Sequence, residues 1–407
     1  MSHKPSTILS NTLAQLVAKF VGASLTFLTT LIIIRISGTT VFGDLTKAFV
    51  LIAIGFTVID FGLNAVVVRQ FGEGNNLARG FTNLLIARLV LSAVVVVALN
   101  LLVQVLPGGY TPEIKSVFWL GSLAIIFQGV FTSCNAVFQS QENYWRPTLS
   151  TILGATLGAS LTYYFILSSP TLAHFLLANT LGYLLMAICS LLLLLPHLPS
   201  TIDHRPSILP LLASALPLAS ILLASVVASK FDTVILGIFR SSSEVGEYGF
   251  AYRIFDVILV LPVFIMNALY PRLVKATKEQ SHSLIKQISQ VMLLVGIIAA
   301  TLIYLLSPLI YLIRPGLFLS VQALKILALS IHLFFLTAPL MWQQISQHQE
   351  KCVFRIYLIA AFLNVALNFL FTPTLGVLSA AIITGATELF ILISLVYSTQ
   401  YETPTQH

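Results

Sequence analysis

Charge is the first thing this sequence lacks. Of 407 residues only 14 are acidic and 21 basic, 9% together, where a soluble globular chain carries roughly a quarter. Hydrophobic residues make up 57%, and the mean hydropathy is +0.95. One water-soluble core cannot bury that much apolar surface and still cover its outside with polar groups. A soluble enzyme and a disordered chain are excluded, and so is a nucleic-acid binder, despite the net charge of +7. Cysteine is scarce as well. Cys134, Cys189 and Cys352 fall in or beside apolar stretches, far apart in sequence. They read as small core hydrophobes and not as a disulfide framework. The eight histidines show neither HxxxH nor HExxH spacing, so neither a metal site nor a cofactor is expected. Alternating period-two segments are missing too, which excludes an outer-membrane barrel. An all-α polytopic membrane protein remains.

What is present is a series of long apolar runs. A bilayer core of ~30 Å needs ~20 residues of helix. Twelve runs qualify: 12–35, 45–67, 82–106, 117–138, 148–168, 172–196, 210–238, 248–270, 286–306, 321–345, 353–371 and 376–398. No cleavable signal peptide is expected, because residues 1–11 are polar and the first run is long. Twelve spans place both termini on one side. That side carries Lys4, Arg69, Arg79, Arg146, Arg205, Arg272, Lys275, Lys278, Lys286 and Lys351, against Lys115, Arg240 and Arg314 opposite. The bias predicts cytoplasmic termini.

The connection after the sixth run, His197–Ser207, holds Pro199, Asp203, Arg205 and Pro206 and divides the chain near its middle. Two six-helix lobes are expected, 1–198 and 210–407, with a cytoplasmic linker at 199–209. A shift of 203 residues places Gly43-Asp44 on Gly246-Glu247, Ala48 on Ala251 and Phe61 on Phe264. The same shift places Asn64-Ala65 on Asn267-Ala268 and Arg69 on Arg272. A chance match between two apolar helices is the alternative, and the single shared offset favours a parallel internal repeat.

Ten ionisable residues lie inside the predicted spans, where each costs ~2.5–3.5 kcal/mol on insertion scales. They are Lys19, Lys47, Asp60, Arg88, Lys230, Asp232, Arg253, Asp256, Lys325 and Glu388. Seven of the ten fall in spans one, two, seven and eight, which are equivalent under the repeat. Helical spacing groups them into stripes. Span one shows Gln15, Lys19, Gly22, Thr26 and Thr30; span two shows Thr57, Asp60 and Asn64. Span seven shows Ser225, Ser229 and Asp232, with Pro217 as a kink point, and span ten aligns Lys325, His332, Pro339 and Gln343. Such stripes suit a hydrated cavity. Plainer roles compete with this. Arg253 and Asp256, at i and i+3, can neutralise one another. Lys47, Lys325 and Arg35 sit near outer span ends and are expected to snorkel; Lys19 and Arg88, near cytoplasmic ends, can do likewise. His332 alone reads as a satisfied interior histidine. Glu388, deep in the last span, suits holding a proton or pairing with a cation. Six cations against four anions favour an anionic cargo over an organic cation.

Particular segments resemble a known family. Phe42-Gly43-Asp44, then Asp60-Phe61-Gly62-Leu63-Asn64 and Val68-Arg69, resemble the start of oligosaccharide flippases of the multidrug/oligosaccharidyl-lipid/polysaccharide exporter superfamily. Asp232-Thr233, Leu236-Gly237, Val245-Gly246-Glu247-Tyr248 and Tyr270-Pro271-Arg272 repeat the pattern. Asn364-Val365, Leu367-Asn368, Pro373, Gly376 and Ala380-Ala381-Ile382 resemble that family's paired-asparagine helix and closing turn. Twelve spans look like an O-antigen-type flippase more than a lipid II flippase. Multidrug relatives also have twelve, but they usually carry an acid and a proline in span one. Here span one has Lys19 and no proline.

The resemblance implies two lobes working by alternating access in a bacterial inner membrane, with a tail portal between spans one and eight. The implied cargo is an undecaprenyl-pyrophosphate-linked oligosaccharide, delivered from the cytoplasmic to the outer leaflet. On that reading Lys19, Arg88, Lys230 and Arg253 contact the pyrophosphate or acidic sugars. Asp60, Asn64, Asp232, Asp256, His332, Asn368 and Glu388 line or gate the cavity. Membrane lipids, a coupling ion (H+ or Na+) and a polysaccharide polymerase are the expected partners. The second hypothesis is an ion-coupled multidrug antiporter using Asp60, Asp232 or Glu388. A membrane polymerase or glycosyltransferase fits poorly, because the longest outer loops, 107–116, 239–247 and 307–320, are short and hold few acids. No catalytic residue is expected.

Overall fold

The computed structural model describes residues 5–72, 77–197, 208–275, 277–347 and 349–400, and among these there are helices and connecting turns but no strand. Twelve helical segments are long and apolar enough to cross a membrane, matching the twelve apolar runs. The first six are α1 (Pro5–Ile36), α2 (Gly38–Asp60) with its continuation α3 (Leu63–Gly72), α4 (Leu77–Val105), the jointed pair α5 (Pro112–Ser122) and α6 (Ala124–Ser140), α7 (Trp145–Ser168) and α8 (Leu172–Leu194). The rest are α9 (Ile208–Phe239), α10 (Ser242–Lys275), α11 (Lys278–Leu306) with the short α12 (Ile310–Ile313), α13 (Phe318–Ser346), α14 (Glu350–Leu375) and α15 (Val377–Gln400).

Local chemistry sets the boundaries. Thr111 and Thr171 cap α5 and α8 through their hydroxyls, and Thr277 with Gln280 forms a reciprocal capping box on α11. The largest departure from the apolar pattern is in span two. The run continues to residue 67, but α2 stops at Asp60 because Phe61 and Gly62 adopt left-handed φ of 47° and 67°. A Cβ at Gly62 would stand 2.7 Å from Leu218 Cβ, so the break also lets α9 approach.

The described chain forms two compact units, Met1–Leu223 and Ala224–His407. The division falls inside α9, some way beyond the linker expected at 199–209, of which 199–207 lie outside the described residues. The reason is packing. Leu211 and Ala215 of α9 are buried with Leu63, Val67, Leu84, Ala87 and Ala136, which ties the start of α9 to the first unit. Pro217 lies inside the helix as expected.

In the first unit α7 packs along α8 and α1, and α6 lies against α4 and α8. The α7–α8 approach is close because Gly154, Gly158 and Gly182 face one another. A Cβ on Gly154 would lie 2.6 Å from the Gly182 carbonyl oxygen. In the second unit α13 is the central helix, contacting α10, α11 and α15.

The repeat positions Asp44 and Glu247 each lie at a contact between the second span of a unit and the start of its fourth, made by different groups in the two units. Glu247 accepts a hydrogen bond from the Ser320 backbone N–H at 3.1 Å, and the Ser320 hydroxyl donates to the Glu247 carbonyl at 2.9 Å. Thus the unit's second span holds the start of its fourth, α13. In the first unit Lys47, 3.9 Å from Asp44, donates to the Gly109 carbonyl just ahead of α5. Asp44 and Glu247 occupy equivalent repeat positions. Lys47 therefore does not snorkel: its side chain is 0% exposed. It closes over Tyr110, 5.9 Å from the ring centroid, because a carbonyl and a ring face inside the protein replace water.

Removing the Glu247 carboxylate leaves first-turn N–H groups of α13 without their acceptor. Glu247→Ala is expected to cost about 1 kcal/mol, the worth of a helix cap. Faster amide exchange at Leu319 and Ser320, with the rest of α13 unchanged, checks it.

Candidate functional site

In the first unit the break after α2 is built around Arg88 of α4. A guanidinium inside apolar packing needs acceptors for its donors, and here it finds four. Nε donates to the Ile59 carbonyl at 3.4 Å, and Nη1 to the Ser133 hydroxyl at 3.5 Å. Nη2 donates to Asp60 Oδ1 at 3.0 Å and to Asn64 Oδ1 at 2.9 Å. The Ile59 carbonyl belongs to the last turn of α2, whose carbonyls have no partner within the helix. Arg88 thus spans both sides of the break, with Asp60 before it and Asn64 after it. Its side chain is 0% exposed, whereas that of Asp60 is 38% exposed. Expected among the cargo contacts, Arg88 is placed behind Asp60 and Asn64, and these two carry the accessible surface. Lys19 is exposed on α1, on the stripe that includes Gly22, whose missing Cβ faces open space.

In the second unit Lys230 of α9 reaches Asp256 of α10 at 3.1 Å and lies 4.6 Å from the centroid of the Tyr252 ring. Both charged side chains keep access to the outside, 29% and 46% exposed respectively. Arg253, half-buried one turn before Asp256, does not displace Lys230 from that carboxylate. Asp232, on the same helix as Lys230, is turned the other way and buried. It accepts from the Thr233 N–H at 2.6 Å, the Thr233 hydroxyl at 3.2 Å, the Tyr248 hydroxyl and, at 3.4 Å, the Thr384 hydroxyl.

A cavity of about 360 Å³ within this unit is lined by Ser225, Ser229, Tyr252, Thr337, Tyr357, Thr384, Thr387 and Glu388 among others. Hydroxyls and one carboxylate make its polar part, and Phe334, Pro262 and Met341 its apolar part. Beside it Asn364 donates to Thr387 at 3.2 Å, Asn368 donates to Asn364, and Thr372 donates to Asn368 at 3.1 Å. Asn368 is thereby buried and spent within α14. His332 is half-buried, with its backbone against Gly296 of α11. Lys325 stacks over Tyr304 at 5.3 Å. Gln343 and Gln344, near the end of α13, are buried.

The sequence from residue 8 to 277 matches the family model described as polysaccharide biosynthesis protein. The chain belongs to that family. Among curated proteins none matches the sequence. Among solved structures, a lipid II flippase MurJ in an inward closed conformation superposes with a TM-score of 0.79 at 14% identity, over 95% of this chain and 87% of that one. An inward-facing multidrug resistance MATE family transporter of the MOP superfamily gives 0.69 at 15% identity, over 95% and 97%. These superpositions show that the chain shares the fold of the two solved structures.

Several members of these polar clusters were not singled out by sequence. Ser133 carries no helical-stripe signal, because its one relevant neighbour is an arginine on another helix. Tyr248 and Thr384, which complete the surroundings of Asp232, had weak signals. Tyr248 follows the Gly246-Glu247 repeat position, and Thr384 stands one turn before Glu388 on the same face.

Proposed function

We propose that this chain is a flippase for an undecaprenyl-pyrophosphate-linked oligosaccharide, an O-antigen-type repeat unit, working by alternating access in a bacterial inner membrane with both termini cytoplasmic. The observation that carries the reading is the Lys230–Asp256 pair in a chain of a polysaccharide biosynthesis family. It is an accessible cation in an apolar helix, held by a carboxylate that is itself accessible. A phosphate oxygen can take the place of the Asp256 carboxylate on Lys230, since both are anionic acceptors of charge-assisted hydrogen bonds. Lys19 and Arg253 supply further positive charge. Arg88 acts from behind, by fixing Asp60 and Asn64. Sugar hydroxyls and a pyrophosphate cannot cross hydrocarbon unaided, since each unpaired polar group costs several kcal/mol. Polar groups along the helices lower that cost while the lipid tail stays in the bilayer. Asp232 and Glu388 are the candidate carboxylates for a coupling H+ or Na+, and a polysaccharide polymerase would consume the delivered unit.

Complementing a deletion strain with Lys19→Ala, Lys230→Ala or Arg253→Ala tests the reading. Each is expected to cut surface polysaccharide about tenfold or more, the scale of one charge-assisted contact, with normal protein levels in the membrane. Full export by all three overturns it. The cavity around Glu388, with aromatic walls and one carboxylate, favours a second reading, an ion-coupled antiporter of organic cations. Unchanged drug susceptibility in the deletion strain, together with lost surface glycan, eliminates that.

A further inference from the structure

We propose that Asp60 and Asn64, fixed from behind by Arg88, form a subsite that binds two neighbouring hydroxyls of a pyranose ring in the cargo. The inference rests on the flippase reading and adds where the sugar, as distinct from the pyrophosphate, is held.

The geometry leaves one acceptor and one donor on offer. Arginine has only donors, so both side chains must turn an oxygen toward the shared Nη2, at 3.0 Å and 2.9 Å. That fixes the orientation of the Asn64 amide and directs its Nδ2 away from Arg88. It likewise leaves Asp60 Oδ2 outside the Arg88 contact. The two heads sit side by side because one nitrogen serves both. Asp60 keeps 38% of its side-chain surface, and Asn64 is half-buried. A hydroxyl pair on adjacent ring carbons both donates and accepts, and it complements a carboxylate oxygen next to an amide N–H.

Charge selects the ligand. Arg88 neutralises Asp60, so the pair offers no net positive charge for a phosphate and no net negative charge for a metal ion. A neutral polyol remains. The support is rigid in the way a binding group requires. Arg88 also bonds the Ile59 carbonyl and the Ser133 hydroxyl, and Ser133 is in turn tied to the Gly129 carbonyl at 2.8 Å. The left-handed Phe61-Gly62 pair brings Asp60 and Asn64 to one guanidinium from opposite sides of the break.

The test uses the full chain in lipid nanodiscs and two probes, undecaprenyl pyrophosphate alone and the same lipid bearing N-acetylglucosamine, which carries an adjacent hydroxyl pair. Wild type is expected to bind the sugar-bearing lipid more tightly. Asn64→Ala keeps the Asp60–Arg88 pair. It is expected to weaken the sugar-bearing lipid roughly five- to tenfold, the scale of one net hydrogen bond, and to leave the bare lipid unchanged. Asp60→Asn keeps an oxygen for Arg88 but offers N–H where Oδ2 stood and leaves the Arg88 charge uncompensated, so it should weaken the sugar-bearing lipid relative to the bare lipid. Lys230→Ala should weaken both lipids alike. Equal loss on both probes in the Asn64 and Asp60 variants, or no loss on either, overturns the subsite while the flippase reading stands. Failure of wild type to bind either lipid overturns the flippase reading and the subsite with it.

Discussion

Gly182→Val is expected to prevent the first unit from packing and to give little folded protein in detergent. A Cβ at Gly182 would meet the Gly154 carbonyl oxygen at 2.8 Å and the Gly158 backbone at 3.3 Å. These are main-chain atoms of α7 and cannot swing aside as a side-chain end would. The two helices must separate, or one must bend, and α7 also carries α1. Overpacking typically costs 1–3 kcal/mol; against backbone on a helix crossing the cost should reach about 3 kcal/mol or more. Gly154→Val should behave alike, since its Cβ would lie 2.6 Å from the Gly182 carbonyl. Gly22→Ala is the counterpart. Nothing lies within 4 Å of a Cβ there, and replacing a helical glycine by alanine should stabilise by up to about 1 kcal/mol. Thermal midpoints in detergent measure all three. A Gly182→Val protein as stable as wild type would contradict the close crossing.

The contrast between these glycines shows what could be read from sequence. Twelve spans were legible because hydropathy summed over twenty residues does not depend on which neighbour a helix meets. The repeat was legible from a shared offset, which pairs Asp44 with Glu247, but the groups these two meet, Lys47 and Ser320, were not, since their counterparts at that offset are Phe250 and Val117. The polar stripes identified Thr57, Asp60 and Asn64 as near neighbours. That the helix stops between Asp60 and Asn64 was not legible, because the run stays apolar through residue 67. Lys47 shows the limit most plainly. A lysine near a span end ordinarily snorkels, and the Gly109 carbonyl, 62 residues on, with the neighbouring Tyr110 ring removes that need. Arg88 shows the same limit. Sequence placed it in a span, but which way it points depends on α2, α3 and α6 together. Asp232 and Lys230 stand two residues apart and turn to different surroundings, one buried among hydroxyls and the other half-exposed beside Asp256.

Asp60→Leu is expected to destabilise the first unit more than Arg88→Met does, although each breaks the same ion pair. Removing one partner of a buried pair costs about 3–5 kcal/mol when the other charge is stranded. Asp60→Leu strands Arg88, whose side chain is 0% exposed, whereas Arg88→Met strands Asp60, which is 38% exposed and can be solvated in part. The first should lie within that range, and the second at or below its lower end. The double variant, Arg88→Met with Asp60→Leu, should be less destabilised than Asp60→Leu alone, because no uncompensated charge remains and two apolar side chains occupy the space. A double-mutant cycle on thermal or denaturant midpoints reads this non-additivity; strictly additive losses would mean the pair is not coupled. The same double variant separates stability from function. With the acceptor of Asp60 gone and Asn64 no longer fixed by a guanidinium, it should fold yet bind bare and sugar-bearing lipid pyrophosphate equally well.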